Sequence, residues 1–153
     1  MLALDELRKV FETEAVATAA EHAPVPFKIC DEPFDQPDDG LWVHFWYELG
    51  TTEQIDLGSR RSFERTPGVL QFTVFNPEKS GMGAASRLAA AIKKRWNRRE
   101  WLVGEAGYVQ LDPMSTKPSS KVYGGFKPIA CDAQFFFTHR DPDAADYGPI
   151  SAP

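Results

Sequence analysis

Apolar residues recur along the chain at two periods, and the alternation between those periods predicts its elements. Leu4, Leu7, Phe11 and Ala15 follow helical spacing, with Val10 and Thr18 alongside, so residues 3–20 predict a helix. Asp5 and Glu6 fall in its first turn, where the backbone dipole favours negative charge, and His22-Ala23-Pro24 ends it. A second helix is predicted from about Ala84 to Trp96. Leu88, Ile92 and Trp96 recur every four residues there, with Ala85 and Ala89 beside them, and Arg87, Lys93, Lys94 and Arg95 fill much of the rest.

Period two marks the strands. Phe27-Lys28-Ile29 is a short one. In Leu41–Leu49, Leu41, Val43, Phe45, Tyr47 and Leu49 face one way and Trp42, His44, Trp46 and Glu48 the other. Gly50-Thr51-Thr52-Glu53 predicts a turn into Gln54–Leu57, hence a hairpin. Val69–Phe75 is β-branched and aromatic, with a Thr66-Pro67-Gly68 turn before it and Pro77 behind. Trp101–Val103 and Tyr108–Leu111 predict a second hairpin about Gly104–Gly107. In Ile129–Thr138, Ile129, Cys131, Ala133, Phe135 and Phe137 alternate with polar residues.

The remaining segments lack a period. Asp31–Gly40 holds five carboxylates and two prolines and reads as a loop. Residues 58–68 concentrate arginine and read as a long connection, a short irregular strand or a projecting hairpin. Asn76–Gly83 and Asp112–Gly125 read as loops, and residues 141–153 as a disordered tail. A single domain over 1–140 follows. Runs of strands with two helices set apart define an α+β class.

Charge changes the picture. Net charge is only −5, but residues 1–59 carry 3 Lys/Arg against 13 Asp/Glu, while residues 60–99 carry 10 against 2. An acidic first third and a basic middle make complementary surfaces on neighbouring copies plausible. No apolar run approaches the ~20 residues of a membrane span. The N-terminus mixes charges into its apolar residues, unlike a signal peptide. Cys30 and Cys131 stand a hundred residues apart and read as reduced thiols in or near the core, with a disulfide as the alternative.

Candidate chemistry is sparse. His22, His44 and His139 have no second ligand at metal spacing, and Asp35, Asp38 and Asp39 lack a calcium-loop pattern. Gly81-Met82-Gly83 precedes a helix without the Lys-Ser/Thr of a phosphate loop or a third glycine at dinucleotide spacing. No enzyme motif, cofactor or metal is indicated. Two groups remain as contact candidates. Lys93, Lys94, Arg95, Arg98 and Arg99 read as a solvated helix end or as a contact for DNA or an acidic neighbour. Arg60, Arg61 and Arg65, with Trp42 and Trp46, are candidates for a subunit interface, the tryptophans reading otherwise as core beneath a helix.

The order Thr66-Pro67-Gly68, strand, Phe75-Asn76-Pro77, a loop with Gly81-Met82-Gly83, then an Ala/Leu helix to Trp96 resembles the central signature of the tail terminator proteins of long-tailed bacteriophages. Pro24–Phe27, Gly40–Val43 and Leu57-Gly58 extend the likeness to about residues 4–138. The resemblance implies two helices packed on a mixed or antiparallel sheet. It also implies a homohexameric ring that caps the head-proximal end of the tail tube, stops its polymerisation and joins the head. Its partners would be other copies, the tube protein and the neck proteins, with DNA passing through the lumen. The location would be the virion, after assembly in the host cytoplasm. A neck, head-completion or tube protein, and a DNA-binding accessory protein, are the alternatives.

Overall fold

The computed structural model describes residues 2–55, 63–105 and 107–140. Helix α1 (Leu2–Glu21) leads into β1 (Phe27–Ile29), β2 (Trp42–Leu49), β3 (Glu53–Gln54) and β4 (Phe63–Pro77). Helix α2 (Gly83–Trp96) follows, then β5 (Glu100–Val103), β6 (Gly107–Leu111), β7 (Ser115–Pro118) and β8 (Phe126–Arg140). The sheet order is β1-β2-β4-β8-β6-β5, with β3 also on β4 and β7 also on β8. Among the described strands only the β1–β2 pair is parallel, so the sheet is mixed, as expected. At its centre β4 and β8 pair over all 15 residues of each.

Both helices cover one face. Leu7, Phe11 and Ala15 of α1 and Ala85, Leu88, Ala89, Ile92 and Trp96 of α2 pack on Val43, Phe45, Leu70, Phe72, Cys131, Phe135 and Phe137. Phe11 meets Tyr47 and Phe135 edge-on, with ring centroids at 5.1 and 5.0 Å. Trp96 sits 5.0 Å from Phe72 and 5.6 Å from Phe45. Its indole Nε1 donates to Thr18 Oγ1 at 2.9 Å, and that hydroxyl donates to the Glu14 carbonyl at 2.7 Å. The largest buried ring thus keeps no unpaired donor.

Three expectations need correction. First, Gly50–Glu53 does not reverse the chain. Gly50 N donates to the Pro67 carbonyl at 2.7 Å, and Glu53 pairs with Arg65, so the chain continues along β4. Between Leu49↔Gly68 and Glu53↔Arg65, three residues (Gly50–Thr52) oppose two (Thr66 and Pro67), which is a bulge. The hairpin is made by β2 and β3 with β4, and its connecting residues 56–62 lie outside the described ones.

Second, Thr66-Pro67-Gly68 is strand, and so is Phe63–Arg65 before it. Pro67 is tolerated because its missing N–H faces the bulge. Gly68 is there for close approach. A Cβ on it would lie 2.2 Å from Phe135 Cζ and 2.5 Å from the Glu48 carbonyl oxygen. Third, the segment Asp112–Gly125 contains β7, which pairs with β8 from Ser115↔Asp132 to Pro118↔Ile129. All four of its residues are exposed, so no apolar alternation announced it. The disordered tail expected over 141–153 lies outside the described residues.

Candidate assembly surfaces

The basic cluster at the end of α2 divides in two. Arg95 projects toward α1, where its guanidinium bonds Glu21 and reaches Glu14 at 3.5 Å. Arg99 Nη2 lies 3.9 Å from the same Glu14 carboxylate, and its guanidinium covers the Trp101 ring at 4.8 Å. These two arginines bind the helices together. Lys93, Lys94 and Arg98 are exposed and have no ion pair among the described residues, and Arg87 two turns back from Lys94 is the same. Arg98 stands in left-handed backbone, φ 57°, just past the helix. The α1 carboxylates were not foreseen as partners. Glu14 and Glu21 are seven apart on one helix face, and that spacing was the available signal.

Among the described residues no helix covers the other sheet face. Trp42, expected under one, is only 7% exposed on this face, stacked on Phe75 at 4.0 Å and capped by Phe34 at 5.4 Å. The expectation fails because the helices took the Val43–Phe45–Tyr47 face instead. Trp46, four residues along on the same face, is half-buried and pairs across with Gln71. Arg65 reaches Glu53 at 3.8 Å and lies 5.1 Å over the Phe136 ring. Arg60 and Arg61 lie outside the described residues. Toward β5, Leu102 and Tyr108 stand opposite each other, 84% and 47% exposed. The two form an exposed apolar pair on the open face.

Four further titratable side chains, Cys30, His44, Cys131 and His139, are buried or half-buried. Cys30 and Cys131 are free thiols. Burial pushes Cys131 up to about 12, with Asp132 adding to it, and burial pushes Cys30 up to about 11, with Glu12 next. His44 Nε2 donates to the Cys30 carbonyl at 3.1 Å, yet burial outweighs that bond and lowers its pKa. His139 is buried against Phe137, with Nε2 3.7 Å from Glu64. Among the described residues no group of three or more His, Cys, Asp or Glu side chains gathers to hold a metal. No described helix is long and apolar enough to cross a membrane. At Gly81-Met82-Gly83, Asn76 Nδ2 donates to the Gly81 carbonyl at 3.4 Å and fastens the loop from beneath.

These features define a surface-presenting α+β domain: one sheet face covered, the other open, and cations projecting from a helix end. The family model for the phage tail terminator protein matches residues 6–123, and the chain belongs to that family. It is accordingly a structural protein of the virion tail, with other tail and head proteins as its neighbours. Nine chains of solved structures match, and one of them superposes with a TM-score of 0.70 over 90% of this chain and 96% of its own. At 19% identity that likeness concerns the fold alone. A search among curated proteins gave no match.

Proposed function

We propose that the chain closes into a homohexameric ring at the head-proximal end of the tail tube. There it stops tube polymerisation and presents the surface on which the head is joined. The observation that carries this reading is the family match over residues 6–123. The helix-free sheet face, with Leu102, Tyr108 and Trp46 accessible on it, supports the reading because such a face calls for cover. One ring face would copy the contact surface of a tube subunit and the other would lack it, so the next tube ring finds no complementary edge. Arg65 and Trp46 border the open face and, with Arg60 and Arg61, are proposed as interface residues. Lys93, Lys94 and Arg98 are proposed for polar contacts, with DNA in transit or with an acidic neighbour.

The test combines native mass with tail length. Light scattering at low and high salt, with negative-stain imaging, should show rings of about six times the 17.1 kDa chain mass. Complementation of a terminator-defective phage should restore tails of uniform length. Tails of uncontrolled length in the complemented phage would sink the terminator role. Restored head completion with no effect on tail length would favour a neck protein.

A further inference from the structure

We infer that the outer face of α2 docks against the Asp31–Gly40 segment of a second copy, head to tail. The inference rests on the ring reading and assigns its contact. Helix α2 has no Asp or Glu, and none occurs between Glu78 and Glu100. Its buried stripe is Ala85, Leu88, Ala89, Ile92 and Trp96. Opposite that stripe stand Gly83, Arg87, Ala90 and Lys94, all exposed, with Lys93 at the margin. The Arg87 guanidinium lies over Gly83, and the small side chain of Ala90 separates Arg87 from Lys94 on this face. With Arg95 and Arg99 engaged by Glu14 and Glu21, the unspent charge of the helix is Arg87, Lys93 and Lys94.

The complement lies elsewhere on the same chain. Asp35, Asp38 and Asp39 are exposed, and no cation pairs with them among the described residues. Their segment is not a free loop end, because Phe34 within it is fastened to Trp42. The carboxylates follow this anchored residue in the segment that joins β1 to β2.

Topology separates the two surfaces. Strand β1 is one edge of the sheet, whereas α2 packs across β4, β8 and β7, and β7 lies on the far side of β8 from β4. Each surface is thus left for a neighbour, and unlike patches in heterologous contact form a ring where the rotation between copies closes. Exposed ion pairs contribute little singly, so the charges set register and partner while apolar contacts on the open face supply adhesion.

The experiment swaps the charges. One variant carries R87E, K93E and K94E; a second carries D35K, D38K and D39K; a third carries both sets. Circular dichroism confirms that each is folded, and the neutral set R87Q, K93Q and K94Q separates charge from helix-end effects. Association of the first two, measured by sedimentation at low salt, should weaken roughly tenfold or more, and that of the neutral set less. The third variant should assemble as the unaltered chain does, and an equimolar mixture of the first two should form an alternating assembly. Unchanged mass in the first two variants overturns the contact, as does failure of both the mixture and the third variant to recover. Tail-length complementation keeps the readings apart: variants that associate normally and control length remove this contact and leave the terminator role standing. A wild-type chain that does not control length removes that role whatever its mass.

Discussion

Gly68 shows how one residue sets the spacing of the sheet. Phe135 is fully buried and its ring lies across the Gly68 backbone, so a methyl group there collides with both the ring and the Glu48 carbonyl. Gly68→Ala should cost about 1–3 kcal/mol, the range for overpacking, measured by denaturant unfolding. From the sequence this glycine looked like a turn residue, because Pro-Gly is a turn signal and the ring above it comes from far along the chain. The face of Phe135, by contrast, was legible from the alternation in β8. The thiols give a second prediction at this scale. Cys131 and Cys30 hold their protons to about 12 and 11 in the fold, while an unfolded chain releases them near the ordinary 9.0. The native state then binds more protons than the unfolded one above that pH, so stability falls as pH rises from about 9 toward 12. Urea midpoints measured across that range should show a shallower decline for Cys131→Ala than for the unaltered chain.

Among the elements, α1 and α2 are joined by an apolar seam and an ionic clasp. Phe11 and Trp96 make the seam; Glu14, Glu21, Arg95 and Arg99 make the clasp. Glu14 is half-buried and shared by two arginines, so it is the pivot of the group. A double-mutant cycle of Glu14→Gln with Arg95→Gln should give a coupling of about 1 kcal/mol, read from unfolding midpoints, because the pair is only partly shielded from water. Both helices were legible to within a residue or two, since an apolar stripe at helical period is a local signal. The β2–β3 hairpin was misread for the opposite reason. Gly-Thr-Thr is compatible with a turn or with a bulge, and only the long edge of β4 decides between them.

At the scale of the whole molecule, one-sidedness is the governing property. An α+β layer was readable from the order of periods, but which sheet face the helices would take was not. Both faces of β2 carry large aromatics, and Trp42 satisfies its burial with Phe34, Phe75 and Phe126 instead of a helix. The segregated charge was visible at once, yet its meaning changed with the fold. Part of the basic middle neutralises α1 internally, and only the remainder is available to neighbours. Sequence proximity places charges along a line, whereas pairing depends on which element each faces.

The β4–β8 pair is continuous from Phe63↔Arg140 to Pro77↔Phe126. In an antiparallel pair the hydrogen bonds lie across the strands. Tension applied along the strands therefore loads the whole ladder in shear, and the bonds share it instead of peeling one after another. In a protein of the virion tail, a pull between neighbours along this direction would be borne by these two strands, with the helices on one side only.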